Sequence, residues 1–212
     1  MTQTIWITRH GNRYDFVNPD WFITAKLRYD PHLAEDGIQQ AQELGNRLQS
    51  ENITHIFSSP FLRTVQTAHE VAKILDLPIK LEAGLGEWLN PNWMDHCPEI
   101  RSPETLAKHY SYIDLNYNSR VIPSYPETEE TLQARTATTA QKLASEFEGG
   151  LLLVGHGASV LGTAEGLLGE PLNIHASFCC LTKLVQNNGR WEVELAGDTS
   201  HLSTTENTIR FN

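Results

Sequence analysis

The chain has 212 residues, of which 40% are hydrophobic and 20% are charged, and this balance excludes a disordered or fibrous protein. The formal net charge is −10 and no run of Lys or Arg occurs, so we expect no nucleic-acid partner. No stretch approaches the roughly 18 consecutive apolar residues of a membrane-spanning helix, so we expect no membrane partner.

The first part of the chain alternates short apolar runs, which are typical of strands, with stretches of helical periodicity. The predicted strands lie at 5–7, 53–57 and 79–81. The predicted helices lie at 37–48 and 58–75. Asp36 is the expected N-cap of the first helix, and the Ser-Ser-Pro triplet at 58–60 is the expected start of the second.

An aromatic-rich segment with weak periodicity follows at about 84–125, and we call it the insert. It predicts mostly irregular structure with one helix near 103–110. Its aromatic residues suit either an ordinary core or a surface that lines the substrate, and the sequence leaves both open. They are Trp88, Trp93, Tyr110, Tyr112, Tyr117 and Tyr125.

The last part of the chain returns to alternating elements. Predicted helices lie at 126–147 and 156–168, and predicted strands lie at 151–154, 178–185 and 191–195. The run at 151–154 is continuously apolar, as expected for a strand that is covered on both faces. Asn187-Asn188-Gly189 predicts a tight hairpin turn between the last two strands.

This alternation predicts an α/β fold, a three-layer sandwich in which helices cover both faces of a mostly parallel central sheet. We expect a single domain over 1–212, with the insert as its irregular part. In such sheets ligands bind at the carboxyl ends of the strands. Three polar segments fall at these ends, and we therefore expect them to form one site: Arg9-His10-Gly11, Ser58 to Arg63, and His156-Gly157.

The residue types in these segments favour phosphoryl transfer, which requires positioning of phosphate and compensation of its charge. Arg9 and Arg63 provide planar, permanently charged groups that match phosphate geometry, and Arg13 is a candidate for a third. Backbone N–H groups after Gly11 and Gly157 are further candidates to donate hydrogen bonds to phosphate, because helix starts bind anions.

A phosphoryl acceptor and a proton donor are also needed. Imidazole is a suitable nucleophile near neutral pH when its second nitrogen is held by an acceptor, and either His10 or His156 can serve. A carboxylic acid is needed to protonate the departing alcohol, and Glu87 is the best placed by chain position. Other acids lie near it in the sequence, namely Glu82, Asp95 and Glu99.

Five segments, in order along the chain, resemble the histidine phosphatase (phosphoglycerate-mutase-like) superfamily. The similarity spans most of 5–168. The segments are Thr8-Arg9-His10-Gly11; Asp30-Pro31-His32-Leu33 with the glycines and glutamine that follow; Ser58 to Ala68; Leu85-Gly86-Glu87-Trp88; and Leu153-Val154-Gly155-His156-Gly157.

The resemblance implies that His10 accepts the phosphoryl group as a phosphohistidine and that Glu87 donates the proton. It implies that Arg9, Arg63 and His156 complete the catalytic pocket and that Arg13 binds substrate phosphate. The motif Arg-His-Gly-Asn-Arg at 9–13 is most similar to that of one branch of the superfamily. This branch contains the phosphatase domains of the suppressor-of-T-cell-receptor-signalling proteins and ecdysteroid-phosphate phosphatase.

The expected function is therefore hydrolysis of a small phosphate monoester. Trp88-Leu89-Asn90-Pro91 departs from the basic segment that the glycolytic mutases have after this glutamate, which favours water as the phosphoryl acceptor. A phosphomutase of the same superfamily and a non-catalytic phosphate-binding domain are the alternatives.

The three cysteines predict the compartment. Cys97, Cys179 and Cys180 fit neither a disulfide framework nor a CxxC metal site, so we expect reduced thiols and a cytoplasmic protein. The histidines lack metal-ligand spacing, and we expect no metal and no other cofactor. The sequence does not indicate an oligomeric state.

Overall fold

The computed structural model describes residues 3–205 and residue 210. The range 1–212, over which the sequence predicts one domain, also includes 1–2, 206–209 and 211–212, which lie outside the described residues. The described residues comprise alternating strands and helices in the order that the sequence predicts.

Six strands of the described residues form one mixed sheet. They are β1 (Gln3–Arg9), β2 (His55–Ser58), β3 (Ile79–Leu81), β4 (Gly150–Gly155), β5 (Leu181–Asn187) and β6 (Arg190–Asp198). Their order across the sheet is β3-β2-β4-β1-β5-β6. The first four of these strands are parallel, whereas β5 pairs antiparallel with both β1 and β6.

The α-helices of the described residues are α1 (Trp21–Thr24), α2 (Glu35–Leu48), α3 (Leu62–Leu75), α4 (Pro103–Ala107), α5 (Glu129–Glu146) and α6 (Gly157–Leu168). Single 3-10 turns lie at Tyr14–Phe16 and Ala83–Leu85. Among these residues no helix has both the length and the apolar character that crossing a membrane requires.

The two faces of the sheet belong to separate cores, because successive residues of a strand point to opposite faces. Trp6 of β1 packs with buried residues of α2 and α3, among them Leu44 and Val65. Its neighbours Ile5 and Ile7 pack with buried residues of α5 and α6. Helices therefore cover both faces, which confirms the predicted three-layer α/β sandwich with a mostly parallel sheet.

The insert covers the edge of the sheet at β3. The Ile79 N–H donates to the Tyr112 carbonyl at 2.7 Å, and the Asp114 N–H donates to the Ile79 carbonyl at 2.9 Å. The buried Glu82 carboxylate, just after β3, accepts a hydrogen bond from the Tyr117 hydroxyl at 2.6 Å. These bonds satisfy backbone groups that an exposed edge strand leaves open.

The predicted starts of α2 and α3 are wrong by one or more residues. The N-cap of α2 is Ala34, and the Asp36 carboxylate accepts a hydrogen bond from the Asn12 side chain at 2.7 Å instead of capping the helix. Helix α3 begins at Leu62 because the buried Asp30 carboxylate accepts the Leu62 N–H at 2.6 Å, a long-range cap that local sequence does not reveal.

Helix α5 also begins later than the proline that the sequence suggested. Thr128 is its N-cap, and the Thr128 and Thr131 side chains each accept the other residue's backbone N–H, at 3.2 Å and 2.9 Å. This reciprocal cap fixes the helix start at Glu129 and leaves Pro126 in the preceding loop.

Two glycines allow the loop after β1 to lie directly against the first turn of α2. A Cβ added at Gly11 would lie 2.4 Å from the Gly37 carbonyl oxygen, and one added at Gly37 would lie 2.2 Å from the Asn12 carbonyl oxygen. Both contacts are with backbone, which cannot move without displacing the loop that holds His10. The packing of α2 thus positions the first of the three polar segments.

We predict that Gly37→Ala lowers the free energy of unfolding by about 1–3 kcal/mol, because the added methyl group overpacks a backbone contact. Gly45→Ala in the same helix is the matched control. Its nearest atom is the flexible end of the Ile74 side chain, at 2.6 Å. Urea denaturation of both variants checks the prediction, and equal losses of stability would contradict it.

Candidate functional site

The sheet brings the three predicted segments together at the carboxyl ends of β1, β2 and β4. Arg9 of β1 is paired with Gly155 of β4, so His10 and His156 are neighbours one residue further on. The His10 N–H donates to the Gly155 carbonyl at 3.0 Å. The two imidazole rings lie edge to face with their centroids 5.3 Å apart.

His10 is buried and oriented by the loop that follows β1. Its Nδ1 atom lies 2.7 Å from the Gly11 carbonyl oxygen. A carbonyl only accepts hydrogen bonds, so Nδ1 bears the proton and Nε2 has a free lone pair. The Gly11 N–H in turn donates to the Thr67 hydroxyl of α3 at 3.1 Å. The contact therefore assigns the tautomer that a nucleophile requires.

The environment keeps this imidazole uncharged. Burial lowers the pKa of His10 well below its ordinary value, and the charges of Arg63 and Arg9 lower it further. His10 is only 1% exposed. A neutral, buried ring retains its nucleophilic lone pair even in mildly acidic solution.

Arg63 connects the other two predicted catalytic residues. Its Nη2 donates to the Glu87 Oε2 atom at 3.0 Å and lies 3.1 Å from the His156 Nδ1 atom. Glu87 Oε2 is also 3.3 Å from His156 Nδ1. On its far side, His156 Nε2 lies 2.9 Å from the Ser59 hydroxyl. All of these side chains are buried, so the contacts form one desolvated polar network.

The charges in this network follow from its neighbours. Burial, with the nearby Arg13 charge, lowers the pKa of Arg63 to about 10, which leaves the guanidinium charged at neutral pH. Burial lowers the pKa of His156 to about 4, so this ring is neutral at pH 7. Burial raises the pKa of the Glu87 carboxyl, but His156 and Arg63 together lower it further than burial raises it. At pH 7 His156 is neutral and adds no charge, so the positive charge beside Glu87 that keeps its carboxyl ionised is that of Arg63.

Arg9 and Arg13 flank His10 in the sequence, and each has its own partners in the structure. The Arg9 Nη1 donates to the Ala176 carbonyl at 2.9 Å, and its guanidinium lies 4.4 Å from the centre of the Phe178 ring. Arg13 donates to both carboxylate oxygens of Asp15, at 3.0 Å and 2.5 Å. The planes of both guanidinium groups are thereby fixed before any anion arrives.

A small cavity of about 40 Å³ lies beside this network. Its polar lining consists of Arg13, Arg63 and Glu87, which places Arg13 with the other predicted site residues. Apolar and aromatic side chains complete the lining; they are Phe22, Tyr29, Trp93 and Met94. The aromatic residues of the insert are thus divided, since Trp93 lines the cavity whereas Tyr110, Tyr112 and Tyr117 pack against the core.

The structure distinguishes Glu87 from the other acids near it in the sequence. Glu82 is buried but accepts hydrogen bonds from the backbone and tyrosine of the insert. Asp95 is exposed and pairs with Arg28, and Glu99 lines a neighbouring groove that shares Phe22 and Tyr29 with the cavity. Among these four carboxylates, Glu87 is the one that contacts Arg63 and His156.

Gly157 is the first residue of α6, and His156 is its N-cap. The backbone N–H of His156 donates to the Ser159 hydroxyl at 2.7 Å, which fixes the turn. The first N–H groups of a helix have no partner within the helix, and its dipole attracts anions. This end of α6 therefore adds to the positive potential that the arginines create.

One set of side chains has atoms that are close enough to suit a metal ion. Nitrogen or oxygen atoms of His10, Glu87 and His156 all lie within 4.8 Å of one another. Arg63 donates to the Glu87 carboxylate and lies against His156, so a metal ion would meet a fixed cation beside its ligands. The arrangement suits an anion better than a cation, and the absence of a metal stays a prediction.

Some residues of the site were missed in the sequence. Ser59 contacts His156, and Thr67 contacts the loop of His10. Both lie inside the segment 58–68, which resembles the superfamily. Asp15 and Phe178, which hold Arg13 and Arg9, belong to no such segment. Local pattern gives no signal for a partner of this kind, because the pairing depends on the tertiary fold.

Comparison with known proteins identifies a family. The sequence model of the histidine phosphatase superfamily (branch 1) matches residues 5–199. A transcription factor tau 55 kDa subunit of Saccharomyces cerevisiae is 32% identical over 181 residues, which are 80% of this chain and 42% of the yeast protein. The chain thus spans less than half the length of that relative.

Two further similarities cover nearly the whole chain. A probable phosphoglycerate mutase of Proteus mirabilis is 27% identical over 212 residues, or 94% of each chain. The crystal structure of ecdysone phosphate phosphatase from Bombix mori, in complex with tungstate, has a TM-score of 0.79 at 22% identity and covers 99% of this chain and 98% of its own. At that identity the structural likeness supports the fold alone. On the match over 5–199, this chain belongs to the histidine phosphatase superfamily.

Proposed function

We propose that this chain is a phosphatase, a cofactor-free enzyme that hydrolyses small phosphate monoesters through a phosphohistidine at His10. The observation that supports this most strongly is a neutral, buried His10 whose Nε2 lone pair is free, beside the fixed guanidinium groups of Arg9 and Arg63. A nucleophile next to permanent cations suits attack on an anionic phosphoryl group.

In the complex that we propose, substrate phosphate takes over some of the hydrogen bonds that Arg63 makes in the unliganded protein. Its equatorial oxygens accept hydrogen bonds from Arg9, Arg13 and Arg63, with His156 and the N–H groups that begin α6 at Gly157 as further donors. Spreading the charge over several fixed donors stabilises the transition state, since little reorganisation is needed when the reaction occurs.

The reaction proceeds by two displacements. In the first, His10 Nε2 forms a bond to phosphorus as the bond from phosphorus to the ester oxygen breaks, and Glu87 gives its proton to the departing alcohol. In the second, water attacks the phosphohistidine, Glu87 takes a proton from that water, and the N–P bond breaks. Inorganic phosphate leaves with the proton that Glu87 took from water, and His10 and the ionised Glu87 return to their starting states.

Glu87 must acquire a proton before it can donate one, because Arg63 keeps its carboxyl ionised in the unliganded protein. Phosphate supplies the change. Its negative charge draws on the same Arg63 hydrogen bonds and repels the carboxylate, and both effects raise the pKa of Glu87. A substrate that enters as the monoanion brings the proton with it.

Water, rather than a second phosphoglycerate, is the proposed acceptor. Among the described residues that line the cavity, Arg13 and Arg63 are the only cations, and both are assigned to phosphate. The other lining residues are mainly aromatic and offer no counterpart for a carboxylate. A phosphomutase remains the rival function, and isomerisation of a phosphoglycerate without release of inorganic phosphate would favour it.

We further propose a cytoplasmic location and a single domain over the whole chain. Within the part of the chain that the structure describes, Cys97, Cys179 and Cys180 form no disulfide, which is typical of proteins in a reducing compartment. The family match over 5–199 leaves few residues for a further unit within this sequence.

We predict that His10→Ala lowers the turnover of p-nitrophenyl phosphate by at least about a thousandfold, because the phosphoryl acceptor is lost. The control is His109→Ala, which removes an exposed histidine outside the site. Steady-state assays of both variants check the prediction. Activity of His10→Ala near that of the control would overturn the proposed nucleophile.

Glu87→Gln should lower kcat/KM for an alkyl phosphate by about 10²–10⁴-fold and that for p-nitrophenyl phosphate far less. The reason is that an alkoxide needs a proton to depart, whereas nitrophenolate does not. Glu192→Gln, which neutralises an exposed acid on the edge strand β6, should leave both values unchanged. Equal losses on the two substrates would show that Glu87 is not the proton donor.

The pH dependence follows from the same charges. Free enzyme with ionised Glu87 needs a proton from the substrate, and phosphate monoesters lose their second proton near pH ~6. We predict that kcat/KM for an alkyl phosphate is highest below about pH 6 and falls about tenfold per pH unit above it. The lowered pKa of His10 keeps the nucleophile neutral at that pH. A pH profile that rises from pH 6 to 8 would contradict the assignment.

A further inference from the structure

A further buried ion pair, between Arg135 and Glu127, contacts the backbone on either side of Glu87. Arg135, in the middle of α5, and Glu127, just before that helix, are only 7% and 5% exposed. Arg135 Nε donates to Glu127 Oε1 at 2.6 Å, and Arg135 Nη2 donates to Glu127 Oε2 at 2.8 Å. The carboxylate thus holds the guanidinium by two parallel hydrogen bonds.

The remaining Arg135 donors all point to one short segment. We call residues 84–89 the acid segment, because Glu87 lies within it. Arg135 Nη1 donates to the carbonyl oxygens of Gly84, at 2.8 Å, and Gly86, at 3.2 Å. Arg135 Nη2 donates to the carbonyl oxygen of Glu87 itself, at 3.1 Å. All five N–H donors of this guanidinium are therefore used.

Glu127 fixes the other end of the acid segment. Its Oε2 atom accepts the Leu89 N–H at 3.1 Å, and its backbone N–H donates to the Leu89 carbonyl at 2.9 Å. The Trp88 indole N–H donates to the Glu127 carbonyl at 3.1 Å. Backbone groups on both sides of Glu87 are thus bound by one ion pair.

The acid segment consists of part of a 3-10 turn followed by irregular backbone, without strand pairing. The buried side chains of Leu85 and Leu89 anchor its two ends in the core. The segment also lies tightly on α5, since a Cβ added at Gly84 would be 2.1 Å from the Thr139 hydroxyl oxygen. The carboxyl of Glu87 is held by Arg63 and by the Trp88 N–H, whereas the backbone that carries it is held to α5 by Arg135.

Stability alone is a poor explanation for such a pair. Desolvation of two charges offsets most of their attraction, and apolar replacements of buried ion pairs are often equally stable. Positional accuracy is a better one, because a general acid acts only within hydrogen-bond reach of the leaving oxygen, and a displacement of about 1 Å can lower the rate about a hundredfold.

We propose that Arg135, held by Glu127, is a positioning residue that aims the Glu87 carboxyl at the leaving-group oxygen. The inference rests on the proposed function of Glu87 as proton donor. Arg135 contacts the backbone of the acid segment and acts on the reaction only through Glu87. Its loss should therefore affect substrates in proportion to their need for a proton.

The test compares kcat/KM for p-nitrophenyl phosphate and for an alkyl phosphate in Arg135→Lys and Glu127→Gln. Arg135→Lys retains the charge opposite Glu127 but has too few donors for the acid segment. Glu127→Gln keeps the shape and releases the guanidinium from its carboxylate. In both, we expect the ratio of aryl to alkyl kcat/KM to rise about tenfold or more, with KM for the aryl substrate within about twofold of the parent value.

The control is Leu48→Ala, which removes a fully buried side chain at the C-terminal end of α2, in the core on the other face of the sheet. It lowers stability without touching the acid segment, so the substrate ratio should stay at the parent value when the assay is run well below the melting temperature. A loss of activity that merely reflects weaker folding would lower both substrates equally and appear in this control as well.

Combining Arg135→Lys with Glu87→Gln separates the two proposals. If Arg135 acts through Glu87, the double variant has the same ratio of aryl to alkyl kcat/KM as Glu87→Gln alone, because Arg135→Lys adds nothing further. An unchanged ratio in Arg135→Lys and Glu127→Gln, beside a shifted ratio in Glu87→Gln, would overturn the positioning role alone. An unchanged ratio in Glu87→Gln would overturn the proton-donor role and the positioning role with it.

Discussion

Several guanidinium groups converge on a buried imidazole, and the site depends on that imidazole being uncharged. Burial, and then the charges of Arg63 and Arg9, lower the pKa of His10, while the Gly11 carbonyl holds the proton on Nδ1. The cations that we propose as phosphate ligands therefore also favour the neutral state of the proposed nucleophile. Protonation of His10 would remove its lone pair and add another cation to a desolvated cluster. Anion binding and nucleophile activation are thus one electrostatic arrangement.

The surrounding fold can be understood as the support that this arrangement needs. Parallel strands β1, β2 and β4 end at one edge and deliver the two histidines and Arg63 to it, and α2 presses on the loop of His10 through backbone contacts at Gly37. On the opposite face of the sheet, α5 holds the segment of Glu87 through Arg135. Each helix layer thereby positions a different part of the site.

The order of the elements, the three-layer fold and the convergence of the polar segments could all be predicted from the sequence, because strand order fixes which loop ends meet. Helix starts were less predictable: α3 is capped by Asp30 from a distant loop, and α5 by a reciprocal threonine pair. The partners Asp15 and Arg135 had no local signal either, since a buried charge finds its counterpart only in the folded chain. The insert was too irregular for periodicity to place its backbone.

We propose that the phosphoryl group passes through Nε2 of His10. Rapid quenching of the enzyme with a phosphate ester, followed by mass spectrometry and phosphorus NMR of the acid-labile adduct, tests it most directly. We expect a phosphohistidine at residue 10 whose phosphorus is bonded to Nε2, because Nδ1 is hydrogen-bonded to the Gly11 carbonyl. Phosphate on Nδ1 of His10, or an adduct at His156 instead, would contradict it.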